Sequence, residues 1–134
     1  MSELIYPEES YAIMGACFDV YNEKGCGFLE PIYHDRMEVE LGLRKIPFLH
    51  EPTLGLSYEG VQLKHTYSPD FTCWDKIVLK LKACEKIADE HVAQVLNYLN
   101  ATGYKLGLLV NFGHDPKLEY RRIANSRGDS RALV

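Results

Sequence analysis

The chain has 134 residues, 46% hydrophobic and 25% charged, with a formal net charge of −4. That supports one globular domain with an ordinary core, excludes two, and leaves no stretch near the roughly eighteen apolar residues of a membrane span. The acidic balance argues against a broadly basic coat for nucleic acid, but residues 117–134 hold five Lys/Arg against two Asp/Glu, leaving −7 on residues 1–116 and room for a local basic groove.

Met1 to Glu9 is acidic and then amphipathic, unlike a signal peptide, so the expected location is the cytoplasm. From Glu8 to Glu23 the residues Tyr11, Met14, Cys17, Phe18 and Tyr21 recur at helical spacing, and Gly25 and Gly27 end the segment. A second helix is predicted from Leu29 to Leu43, with Pro31 in its first turn and Leu29, Ile32, Tyr33, Met37 and Leu41 on its buried side. After Pro47 the pattern changes. Phe48 to Tyr58 and Val61 to Tyr67 read as strands joined across Glu59 and Gly60, followed by strand-like runs at Asp70 to Trp74 and Ile77 to Cys84 with a turn at Asp75 and Lys76. Residues 88–102 return to helical spacing, Gly103 caps them, Tyr104 to Phe112 reads as a buried strand, and Lys117 to Ile123 as a last strand nearer the edge.

The order α, α, β, β, β, β, α, β, β predicts an α/β domain of about three layers, with a mixed sheet of about four to six strands flanked by helices. It would occupy residues 1–124. Residues 125–134 are expected to be a loosely ordered tail, and the Arg127-Gly128-Asp129 triplet in it reads as chance.

Cys17, Cys26, Cys73 and Cys84 form no C-x-x-C pair, which argues against structural zinc. His34, His50, His65 and His114 show no mutual spacing suggestive of metal ligation, and His91 reads equally as a site-lining or a surface residue. Asp70 stands out, because an acid directly after Pro69 and before an apolar strand is hard to explain by packing. By strand alternation Ile77, Leu79, Leu81 and Ala83 share the core face, leaving Lys80 and Lys82 side by side on the other. Those lysines either form a solvated sheet face or carry chemistry. Likewise Glu30 fits a first-turn helix carboxylate, Gln94 and Tyr98 an ordinary helix-surface pair, and Asn111 a turn or cap.

Gly27-Phe28-Leu29-Glu30 with Tyr33, Pro69-Asp70-Phe71, Lys80-Leu81-Lys82-Ala83, His91 with Gln94 and Tyr98, and Gly107 to Phe112 together resemble the GxxExxY family, small proteins placed in the PD-(D/E)xK nuclease-like superfamily. The resemblance implies a restriction-endonuclease-like core that hydrolyses DNA or RNA with Mg2+, and a homodimer able to reach both strands. Asp70 and Glu30 would hold the metal and Lys82 would serve the attacking water or the scissile phosphate. Gln94 and Tyr98, with Lys80 and His91, would line the substrate. The departure is Lys80, where the family pattern has a metal-binding Glu. An ammonium cannot ligate Mg2+, and one extra positive charge at about 4 Å costs about 4 kcal/mol at an effective dielectric near 20. Three readings follow: a closed site in which Lys80 pairs with Asp70 and Glu30, a metal ligand moved to Glu90 on the next helix, or an inactive relative that binds nucleic acid or a protein partner. In the second, Glu90 would share a helical face with Gln94 and Tyr98.

Overall fold

The computed structural model describes residues 5–125, so the expected tail from residue 126 and its Arg127-Gly128-Asp129 triplet lie outside the described residues. Asn125, assigned above to that tail, is buried, and its side-chain amide donates to the carbonyls of Leu99 and Tyr104 at 3.1 Å each.

Helix α1 (Pro7–Lys24) carries Pro7, Glu8 and Glu9 in its first turn, where a missing N–H is harmless and negative charge complements the helix dipole. Helix α2 (Glu30–Leu43) starts the same way, with Glu30 and Pro31. The helices form as their periodicity predicts, and their buried faces match the expected ones only in part. α1 buries Ile13, Ala16, Cys17, Val20 and Tyr21, whereas Tyr11 is 83% exposed and Phe18 packs at the surface edge-on to Tyr120. On α2, Tyr33, Met37 and Leu41 are buried, while Leu29 and Ile32 are exposed. Tyr11 and Phe18 are displaced to the flank of α1, while Tyr21 stays in the core.

The run expected as one strand from Phe48 to Tyr58 breaks in two. β1 (Phe48–His50) stops at Glu51, which has a φ of 53°, and at Pro52, which has no N–H for a ladder. β2 (Ser57–Tyr58) and β3 (Val61–Gln62) form an exposed hairpin apart from the main sheet, with positive φ at Glu59 and Gly60 as a tight turn requires. β4 (Phe71–Cys73), β5 (Ile77–Lys82), β6 (Leu106–Asn111) and β7 (Glu119–Ala124) complete the main sheet. Its order is β1-β4-β5-β6-β7, antiparallel except for β5 and β6, which are joined by helix α3 (Asp89–Thr102).

The sheet is buried on both faces. Phe71, Ile77, Leu79, Leu81, Leu108 and Val110 pack with α1 and α2. Val78, Leu109 and Ile123 pack with Val95 and Leu99 of α3. Each such Leu, Ile or Val contributes roughly 1.5–3 kcal/mol on full burial. Gly107 lets α3 approach, since a Cβ there would lie 2.6 Å from Val95 Cγ1. The result is a three-layer α/β arrangement with a five-stranded mixed sheet between helices. Cys17 and Cys73 are buried in it as small hydrophobes, and burial pushes the Cys73 thiol up to about 12. Among the described residues, no helix is long and apolar enough to cross a membrane.

Candidate functional site

Asp70 precedes β4 and is only 6% exposed, so its carboxylate needs partners inside the protein. The β4–β5 register pairs Phe71 with Leu79 and so brings Asp70 beside Lys80 and Leu81. Oδ2 accepts the Leu81 N–H at 2.7 Å, and Oδ1 lies 3.5 Å from Lys80 Nζ. Lys80 and Lys82 alternate with Leu79 and Leu81, which puts both lysines on the α3 side of the sheet. Lys82 is partly exposed and, among the described residues, makes no ion pair.

On the other side of Asp70 stand two histidines. His34 of α2 has its Nε2 at 3.8 Å from Asp70 Oδ2 and its Nδ1 at 2.9 Å from His50 Nε2, at the end of β1. The outer nitrogen of His50, Nδ1, lies 3.8 Å from Glu38 Oε2. The His50 ring stacks on Phe71 with centroids 4.6 Å apart, so this pair is held by packing as well as by charge. A cavity of about 350 Å3 opens here, lined by Glu30, His34, His50, Glu51 and Asp70 together with Pro31 and Asp35. The histidines' sequence spacing hid this cluster, because it forms only when β1 pairs with β4 beneath α2. Glu30 and His34, four apart on one helical face, were the available signal.

The α3 side carries the remaining candidates. Tyr98 stacks on Tyr67 with ring centroids 3.5 Å apart. The Tyr67 hydroxyl is buried without a hydrogen-bond partner among the described residues. Burial, then Tyr98 and Asp70 nearby, push its phenol above the ordinary value. Gln94, one turn before Tyr98, is exposed. His91 Nδ1 accepts the Ala88 N–H at 3.0 Å, which ties that nitrogen to the start of α3. Glu90 is exposed in the first turn of the same helix and does not line the Asp70 cavity.

A second buried network lies at the C-terminal ends of β5 and β6. Asn111 Oδ1 accepts the N–H groups of Cys84 and Gly113 at 3.0 Å each, and its Nδ2 donates to Glu119 Oε1 at 3.0 Å. The same Glu119 oxygen accepts the Ile87 N–H at 2.9 Å, fixing the turn that leads into α3. Burial pushes the Glu119 carboxyl up, but these hydrogen bonds, with His114 and Arg121 nearby, hold it below its ordinary value. Asn111 thus serves the turn after β5, and Glu119 is a structural residue that the sequence did not single out.

Hard divalent cations take oxygen ligands, several at once. Between β4 and β5 the chain offers one carboxylate, with one oxygen already engaged by Leu81 and an ammonium facing the other. The strands' own donor set does not fit such a cation; the cavity's other carboxylates, Glu30, Asp35 and Glu51, come from α2 and the end of β1.

A protein-family model described as the PD-(D/E)XK nuclease superfamily matches residues 7–123. A search of curated proteins found no match. Among solved structures, the fold is similar to that of SSO0001, with a TM-score of 0.55 and 20% identity over 72% of this chain and 50% of that one. This chain therefore spans about half the length of that protein. It is also similar to an alkaline exonuclease (LHK-Exo) from Laribacter hongkongensis, with a TM-score of 0.51 and 13% identity over 99% of this chain and 76% of that one. Likeness at these identities speaks for the fold.

Proposed function

The chain belongs to the PD-(D/E)XK nuclease superfamily, and from that premise we propose that it binds nucleic acid on the α3 side of its sheet without Mg2+-dependent cleavage at Asp70. Nucleases of this superfamily typically use divalent metals. The observation that carries the reading is the Lys80 ammonium 3.5 Å from Asp70 Oδ1, where the family pattern expects a carboxylate. Lys80 supplies in fixed covalent form the positive charge that a metal would bring.

The same face keeps groups suited to binding. Lys82 has an ammonium free for a phosphate, and Gln94 is an exposed amide one turn from Tyr98. Tyr98, partly exposed and backed by the buried Tyr67 ring, is the aromatic side chain of this face, and stacking of a base on such a ring is worth about 1–3 kcal/mol. The motif resemblance to the GxxExxY family supports the same placement. Glu90 gives the relocated-ligand reading little support, because it stands apart from the Asp70 cavity.

The test is fluorescence anisotropy with single- and double-stranded DNA and RNA oligonucleotides over a salt series, run beside a cleavage assay with Mg2+ or Mn2+. Affinity is expected to fall with salt, Lys82→Ala to weaken binding and lower the salt slope by about one phosphate contact, and the strands to stay intact. Metal-dependent cleavage abolished by Asp70→Ala, or binding indifferent to both Lys82→Ala and Tyr98→Ala, would overturn the proposal.

A further inference from the structure

We propose that His34, His50 and Glu51 form a binding site for a borderline transition cation of the Zn2+ class, on the opposite side of Asp70 from Lys80. One ligand atom from each of the three residues lies within 4.8 Å of the others. Two imidazoles and a carboxylate are a donor set that holds zinc while leaving a position open, whereas Mg2+ prefers an all-oxygen shell.

The facing nitrogens give the strongest support. His34 Nδ1 and His50 Nε2 stand 2.9 Å apart, and each ring turns its other nitrogen toward a carboxylate, Asp70 for His34 and Glu38 for His50. Each of those carboxylates lies 3.8 Å from its ring nitrogen, close enough to help orient the ring. At 2.9 Å the two nitrogens share one proton as an N–H···N hydrogen bond, and a cation displacing that proton would take both lone pairs. Two nitrogens bound to one tetrahedral zinc at about 2.0–2.1 Å lie about 3.3–3.4 Å apart, so parting the rings by about half an ångström would let the pair share an ion. The sequence carboxylate, imidazole, ion, imidazole, carboxylate is the outer-shell arrangement that orients metal-binding histidines.

The backbone supplies the third ligand. Consecutive residues on a strand point to opposite faces, so Glu51 should turn away from His50. Its φ of 53° breaks the alternation, and its N–H, donating to the Asp70 carbonyl at 2.8 Å, holds the turn. A non-glycine residue in this region is strained, commonly by about 1–3 kcal/mol, and such strain gathers at functional positions. The ion would open onto the cavity lined by Glu30 and Asp70, where water or a ligand oxygen can complete its shell. None of Lys82, Gln94 and Tyr98 takes part, so the site does not depend on nucleic-acid binding.

The experiment titrates the untagged, metal-stripped protein with Co2+ alone and then Zn2+ alone, with Mg2+ in parallel, reading visible absorption and calorimetry. One Co2+ per chain is expected, with d–d bands of nitrogen and oxygen ligation that Zn2+ removes and Mg2+ does not. His50→Ala should weaken Co2+ binding by about a hundredfold, and Glu38→Gln, which keeps every ligand, by about tenfold. Glu51 is exposed, so Glu51→Gln keeps the comparison available should His50→Ala fold poorly; its expected loss is about tenfold. Absence of Co2+ uptake by the parent protein, or uptake unchanged in both His50→Ala and Glu51→Gln, would overturn the proposal.

Discussion

Two buried polar networks flank the C-terminal half of β5, and they hold their charges differently. Around Asn111 and Glu119 the principal contacts fall at 2.9–3.0 Å and run to backbone N–H groups or between the two side chains. Around Asp70 only the Leu81 N–H is that close, while Lys80 and His34 stand at 3.5 and 3.8 Å beside an open cavity. Both surround a mostly buried carboxylate. The first directs its hydrogen bonds, through Asn111 and Glu119 Oε1, to fastening the turn before α3. The second leaves part of its capacity facing the cavity, and a ligand can use what the fold has left over.

The sharpest way to break this contrast is Asp70→Ala. It strands the Leu81 N–H and leaves the Lys80 ammonium, 21% exposed at its side chain, without its partner. A loss of about 3–5 kcal/mol is expected in urea unfolding. A loss below about 1 kcal/mol would mean that Asp70 is held for a ligand more than for the fold. Lys80→Glu reverses the sign of the pair. The variant should be less stable than the parent without metal, through repulsion from Asp70, and should regain about 2.7 kcal/mol when Mg2+ reaches a hundredfold excess over its Kd. Melting curves with and without Mg2+ check both parts.

Glu119→Ala probes the fastened network and should cost about 2 kcal/mol, the value of hydrogen bonds to a charged group. Because the folded state holds this carboxyl below its ordinary value, its contribution is fully present above that ordinary value. It is lost as pH falls through the lower folded value, so Glu119→Gln should flatten the acid limb of stability against pH. Tyr98→Ala is the smallest change. It removes a stack worth about 1 kcal/mol of stability, and its larger effect should appear in oligonucleotide affinity.

Much of the Asp70 neighbourhood was legible in the sequence because strand alternation is local. Parity along Ile77 to Lys82 put the two lysines together, and an acid after Pro69 had no packing explanation. The histidine pair was not legible. Its members are 16 residues apart on α2 and β1, and their contact exists only through the pairing of His50 with Phe71. Glu51 was hidden for a sharper reason, since alternation sends it to the wrong face and only its left-handed backbone brings it back. Part of the α1 face, at Tyr11 and Phe18, and the early end of β1 at Glu51 and Pro52 were misplaced likewise, the latter because a single Pro ends the ladder.

The most direct test of the account is a thermal melt of the parent protein and of Asp70→Ala, each with and without millimolar Mg2+. A parent melting temperature indifferent to Mg2+, with a large fall for Asp70→Ala under both conditions, is the predicted result and places Lys80 as the fixed partner of Asp70. A rise with Mg2+ in the parent that Asp70→Ala abolishes would contradict it, and would mean that Asp70 ligates a hard cation despite the lysine beside it.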